Sequence, residues 1–130
     1  MAKVLIVDDN RDLADTIAAM LQLSGFEVAV AYDGAAALAE SARSSPDAVV
    51  LDIGLPVIDG ITVAARLREM YGRRLRLLAL TARADDDTMR RQVADVGFDD
   101  LLMKPASIYQ IVNAIRHGGG RAIHKSVKTK

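Results

Sequence analysis

Val4-Leu5-Ile6-Val7-Asp8-Asp9 and Ala48-Val49-Val50-Leu51-Asp52 repeat one pattern, an unbroken apolar run that stops at carboxylates. A strand with one wet face alternates apolar and polar residues, whereas a strand covered on both faces of a parallel sheet is apolar throughout. Both runs therefore read as central strands. Working outward, strand one is Val4 to Val7, strand two Phe26 to Ala31, strand three Ala48 to Leu51, strand four Leu75 to Leu80 and strand five Leu101 to Met103.

Helical patterns fill the gaps. Leu13, Ile17, Met20 and Leu21 recur at helical spacing, and Gly25 follows where a helix ends in the left-handed conformation. Helix two is the Ala-rich 34 to 43, stopped by Ser44-Ser45-Pro46. Helix three begins near Asp59-Gly60 and turns Ile61, Val63, Ala64 and Leu67 inward; helix four starts at Asp85-Asp86-Asp87, where negative charge suits the helix dipole. Helix five follows Pro105 with Ile108, Ile111, Val112 and Ile115 as its core face. Strict strand–helix alternation predicts an open, doubly wound α/β fold with a five-stranded parallel sheet and helices on both faces.

Composition narrows the function. At 130 residues with 51% apolar content, one domain with a real core is expected, without disulfide or metal support. Zero Cys excludes thiolate zinc, iron–sulfur clusters and a Cys nucleophile. His117 and His124 are the only imidazoles, so the body cannot house a Ser-His-Asp triad. The longest uncharged stretches, 16 to 26 and 105 to 115, are 11 residues each. A membrane span needs about 18. No signal peptide opens the sequence, so a cytoplasmic location is expected.

The carboxylates carry the functional signal. Asp8 and Asp9 end strand one, Asp52 ends strand three, and Thr81 and Lys104 end strands four and five. All five fall at the C-terminal strand edge, where open α/β sheets bind ligands. Converging carboxylates repel by about 1 to 4 kcal/mol per pair at ~4 Å, so a divalent cation is expected to offset them. Oxygen-only ligation points to Mg²⁺, or Mn²⁺. A lone Asp at a strand end is usually a helix N-cap, and Asp9 by itself could be that; convergence from four strands is harder to assign to capping. A carboxylate can take a phosphoryl group as an aspartyl phosphate. Asp52, on the central strand, is placed as nucleophile, with Asp8 and Asp9 holding metal, Lys104 supplying an ammonium and Thr81 a hydroxyl.

Val4 to Asp9, Leu51-Asp52-Ile53-Gly54-Leu55-Pro56 with Asp59-Gly60, Leu80-Thr81-Ala82 and Met103-Lys104-Pro105, in that order and spacing, resemble the receiver domain of two-component response regulators over residues 3 to 117. The resemblance implies the strand order 2-1-3-4-5. It implies Asp52 as phosphoacceptor, Asp9, Asp52 and the Gly54 main-chain carbonyl as direct Mg²⁺ ligands, and Asp8 supporting the ion through water. Thr81 and Lys104 would contact the phosphoryl group, and Lys104-Pro105 would be cis. The implied role is a switch that phosphorylates and dephosphorylates itself rather than a turnover enzyme, changing its surface around helix four, strand five and helix five. Implied partners are a histidine kinase or histidine phosphotransfer protein, and a second copy through helices four and five. The sequence departs from the receiver pattern at Leu101, where an aromatic residue is common, and at Leu55, where Met is common. The Leu51 to Pro56 string and Gly97-Phe98-Asp99-Asp100 are similar to receivers appended to hybrid sensor kinases.

Other readings fit less well. Small-molecule phosphatases with an Asp nucleophile carry a second Asp two residues on, but Asp52 is followed by Ile53 and Gly54. A flavodoxin-like nucleotide site would replace Asp8-Asp9-Asn10 with Ser, Thr and Gly. No Walker loop, Gly-x-Gly-x-x-Gly or His-Glu-x-x-His occurs, and Asp85-Asp86-Asp87 lacks the Gly and Glu of a calcium loop. No DNA-binding module follows helix five in these residues. The net charge of zero hides a division: residues 1–115 hold 12 basic and 17 acidic residues, and the rest hold five basic and none acidic. The expected organisation is a receiver domain over 1–117 and a flexible basic tail over 118–130.

Overall fold

The computed structural model describes residues 2–54, 59–82 and 86–118. Leu55, Pro56, Asp85 and the basic extension from 119 onward lie outside them. The elements are β1 (Lys3–Val7), α1 (Arg11–Leu23), β2 (Glu27–Ala31), α2 (Gly34–Ser44), β3 (Ala48–Asp52), α3 (Gly60–Tyr71), β4 (Arg76–Thr81), α4 (Asp87–Val96), β5 (Asp100–Met103) and α5 (Ile108–Asn113). A 3₁₀ turn, Gly72–Arg74, follows α3, and a π turn, Ala114–Gly118, continues α5.

The sheet is parallel throughout in the order β2-β1-β3-β4-β5. All five expected strands form, with ends shifted by one residue at most sites; β3 reaches Asp52 and β4 reaches Thr81. The central strands are the buried ones: every residue of β3 is buried, whereas the edge strand β2 is mostly half-exposed.

Strand alternation divides the core. Leu5, Val7, Val49, Leu51, Leu77 and Ala79 pack with residues of α2, α3 and α4. Val4, Ile6, Val50, Leu78 and Leu80 pack with Ile17 and Leu21 of α1 and Ile111 of α5. Continuing that period of two past the strand ends puts Asp8, Asp52 and Lys104 on the α1/α5 side. Register completes the placement, because Val7 pairs with Leu51 and Thr81 with Met103.

The helix starts follow the side-chain oxygens. Asn10, Asp33, Asp59, Asp86 and Ser107 each accept a main-chain N–H of the first turn, and Ser107 with Gln110 forms a capping box. Each cap is worth about 1 kcal/mol. Helix four thus begins at Asp87 with Asp86 as cap. On α1 the expected core face needs correction: Met20 is 40% exposed and Leu13 only half-buried, while the small Ala14 and Ala18 face the sheet beside Ile17 and Leu21. Gly25, with φ of +100°, ends α1 as the spacing predicts.

A half-buried brace at the opposite sheet edge had no sequence signal. Arg68 of α3 donates to the carbonyls of Gly72 (2.7 Å), Leu75 (2.6 Å) and Gly97, and pairs with Asp99 at 3.2 Å. Asp99 in turn accepts the Leu77 N–H at 2.9 Å.

Among the described glycines, Gly60 leaves the least room for a side chain. A Cβ there would overlap Ile53 Cα and stand 2.7 Å from the Asp52 carbonyl oxygen. Gly60→Ala should therefore cost at least about 2 kcal/mol in urea denaturation, because the neighbours are backbone and cannot rotate away. A change below 0.5 kcal/mol, an ordinary surface value, would contradict this packing.

Candidate functional site

The three central strand ends and β5 deliver one cluster. Asp8 and Asp52 are buried, and the Lys104 ammonium lies between them, 2.9 Å from Asp8 Oδ2 and 3.2 Å from Asp52 Oδ2. Asp9 is exposed beside them, and Asp8, Asp9 and Asp52 each bring a carboxylate oxygen to within 4.8 Å of the others.

Backbone amides fix the carboxylates. Asp8 Oδ1 accepts the Asn10 N–H at 3.0 Å, and Asp52 Oδ1 accepts the Gly54 N–H at 2.9 Å. Asn10 then caps α1 by accepting the Leu13 N–H at 3.1 Å. The cap is thus Asn10, and Asp9 is left clear of that duty. Thr81 is buried at the end of β4, its carbonyl accepting the Lys104 N–H at 2.8 Å. The Lys104-Pro105 peptide is cis, as the resemblance implied.

The electrostatics are strained in a consistent direction. Burial pushes the Asp52 carboxyl above the usual carboxylate range and the Asp8 charge adds to this, against the pull of the Gly54 N–H and Lys104. Burial works against the Lys104 charge too, yet its contact with Asp8 and the charges of Asp52 and Asp8 hold it above its ordinary value. Asp8 Oδ2 is buried and meets the Lys104 ammonium at 2.9 Å. An oxygen-only set of three converging carboxylates fits a small, hard divalent cation.

Sequence reasoning missed a second cluster at this edge. Tyr32, the residue after β2, donates its hydroxyl to Asp15 at 2.6 Å, and the Arg11 guanidinium lies over its ring, 4.2 Å from the centroid. Arg11 and Asp15 are spaced i, i+4 and could have been paired from sequence; Tyr32 comes from another strand and carried no such signal.

The model of the response regulator receiver domain matches residues 4–116. The chain belongs to the response regulator receiver family. It is a signalling domain of two-component systems. The chain is 41% identical over 114 residues to the transcriptional regulatory protein PrrA of Mycobacterium tuberculosis, covering 88% of this chain and 48% of PrrA. It is 40% identical over 116 residues to the response regulator MprA of Mycobacterium leprae, covering 88% and 49%. It spans about half the length of these curated relatives. Among solved structures, the receiver resembles the chemotaxis protein CheY4 of Vibrio cholerae (TM-score 0.84, 28% identity, 91% of this chain and 98% of that one). It also resembles a response regulator from Burkholderia pseudomallei with a phosphorylated aspartic acid, calcium ion and citrate (TM-score 0.86, 25% identity, 97% and 73%). Among the described residues no helix is long and apolar enough to cross a membrane.

The raised Asp52 pKa gives a signed prediction. A carboxyl that binds its proton more tightly when folded destabilises the fold once ionised, so stability is lost as pH rises from the unfolded to the folded pKa. Asp52→Asn should therefore raise the unfolding free energy at neutral pH, in divalent-free buffer, on the order of 1 kcal/mol. Its advantage should shrink as pH falls through the Asp52 pKa. Calorimetry across that range checks both; an Asn variant less stable at neutral pH would refute the strain.

Proposed function

We propose that this receiver takes a phosphoryl group from a partner's phosphohistidine onto Asp52 in a Mg²⁺-dependent step. One observation carries the reading: Asp52 is buried at the end of a central strand with Asp8 and Asp9 on one side and the Lys104 ammonium 3.2 Å away. That is a nucleophile between a cation site and a fixed positive charge. The phosphorylated aspartic acid and calcium ion in the Burkholderia pseudomallei structure support it by likeness.

In the proposed step, an ionised Asp52 oxygen attacks phosphorus as the P–N bond to the donor imidazole breaks, and the imidazole leaves and is reprotonated. Asp9, Asp52 and the Gly54 carbonyl would hold a Mg²⁺ ion, with Asp8 supporting it, and the ion would supply charge neutralisation for the phosphoryl oxygens. Lys104 gives up part of its pairing with Asp52 and turns its N–H groups to the phosphoryl group, while Thr81 offers a neutral donor. Water attack on the acyl phosphate returns Asp52 and inorganic phosphate. Asp8, whose N–H is tied to Ala31 and whose Oδ1 is tied to Asn10, orients the site.

The response surface is β5 with α4 and α5. Met103 and Tyr109 are exposed there, Tyr109 by 83%. Leu101 is half-buried against the α2–α4 core, so the switch is transmitted without an aromatic ring turning at that position. The receiver unit is assigned to residues 1–117 in a cytoplasmic protein.

Acetyl phosphate with Mg²⁺ should add one phosphoryl group, read by intact mass, and Asp52→Asn should take up none. Mg²⁺ at ten times its Kd should stabilise the wild type by about 1.4 kcal/mol, and Asp9→Asn should remove most of that. Undiminished labelling of Asp52→Asn would refute the phosphoacceptor; an unchanged Mg²⁺ response in Asp9→Asn would refute the ligand set.

A further inference from the structure

Lys104 is not the only cation at this edge of the sheet. Arg11 is the first residue of α1, directly after Asn10, whose N–H is held by Asp8 Oδ1. Tyr32 directly follows Ala31, whose carbonyl accepts the Asp8 N–H at 3.2 Å. Arg11 and Tyr32 are therefore carried by the two backbone segments that fix Asp8. The guanidinium forms no ion pair among the described residues and lies over the Tyr32 ring, 4.2 Å from the centroid. The ring is itself fixed, because its hydroxyl donates to Asp15 at 2.6 Å.

This parking has two consequences. Held on the ring, Arg11 does not neutralise Asp8 or Asp9, which stay open to a cation. It nevertheless remains a full positive charge carried two residues along the chain from Asp9, and exposed charges interact over about 10 Å at 0.1 M salt. Such a charge opposes a divalent cation entering alone and favours a dianionic phosphoryl group. A guanidinium on the face of a half-buried ring such as Tyr32 is held by a modest preference, so an arriving phosphoryl group can compete for it.

We propose that Arg11, parked on Tyr32, is a specificity-determining residue of this site, favouring dianionic phosphoryl donors and opposing divalent cations that bind without one. The donor half rests on Asp52 as phosphoacceptor; the cation half does not. In the reaction used to test it, the phosphoryl group leaves the acetyl oxygen of acetyl phosphate for an Asp52 oxygen, and acetate departs.

The test compares wild type, Arg11→Gln and Arg11→Lys at low ionic strength. Calorimetric titration with Mg²⁺ alone should show Arg11→Gln binding about two- to threefold more tightly than wild type. Labelling by acetyl phosphate at saturating Mg²⁺ should be slower in the same variant by about the same factor. Arg11→Lys should lie near wild type in both, and high salt should erase both differences. The opposite signs matter, because loss of a merely structural contact would weaken both or neither. Both moving together, neither moving, or Arg11→Lys behaving as Arg11→Gln would overturn the proposal. A wild type that takes up no phosphoryl group would overturn the phosphoacceptor reading, and the donor half with it; the Mg²⁺ titration would then decide the cation half alone.

Discussion

Two buried carboxylates share one ammonium at the end of the central strands, and the rest of the fold is arranged to tolerate it. A buried ion pair returns its desolvation cost only when geometry is good and the remaining lone pairs are satisfied. Here Asp8 and Asp52 each spend one oxygen on a main-chain N–H and the other on Lys104. One ammonium for two carboxylates, with Asp9 adjacent, leaves the edge short of positive charge. Local instability of this kind is sustainable because β1, β3 and β4 are covered on both faces, with Leu5, Ile6, Leu51, Leu77 and Leu78 fully buried. Truncating one such residue costs about 2 to 5 kcal/mol, comparable with the repulsion the strand ends must hold.

The opposite edge shows the contrasting solution. Arg68 is one cation with four acceptors, three of them carbonyls, and its carboxylate partner Asp99 also holds a strand N–H. Only its Nε is left without a hydrogen bond. Charge there is spread over neutral dipoles and joins α3, β4, α4 and β5. At the acidic edge, charge is concentrated on carboxylates. One edge fixes the chain, and the other keeps an electrostatic imbalance that a ligand can relieve.

How much of this was legible follows from the range of each interaction. Strands one, three and four were readable because burial on both faces removes polar residues from the run itself, and Asp8, Asp52, Thr81 and Lys104 were readable because a parallel sheet puts all C-terminal ends on one side. Strand parity then carries Asp8, Asp52 and Lys104 to the same face without further information. Met20 misled because its apolar side chain matches the helical period, whereas the buried face of α1 is made by Ala14, Ile17, Ala18 and Leu21. The Arg68 brace was invisible because three of its acceptors are main-chain carbonyls, which every residue carries.

The charge balance illustrates the same distinction. Counted over the sequence, acids and bases cancel at 17 each, yet residues 1–115 carry a net of minus five. Within that body Lys3, Arg43, Arg68 and Lys104 are paired with acids. Arg11 lies over a ring instead. Net charge sets the far field of a protein, but at a site of this size the field depends on which cations are already committed. Lys104 is committed to Asp8 and Asp52, and the loosely held Arg11 is not, so the same two positive charges differ in what they leave available to a ligand.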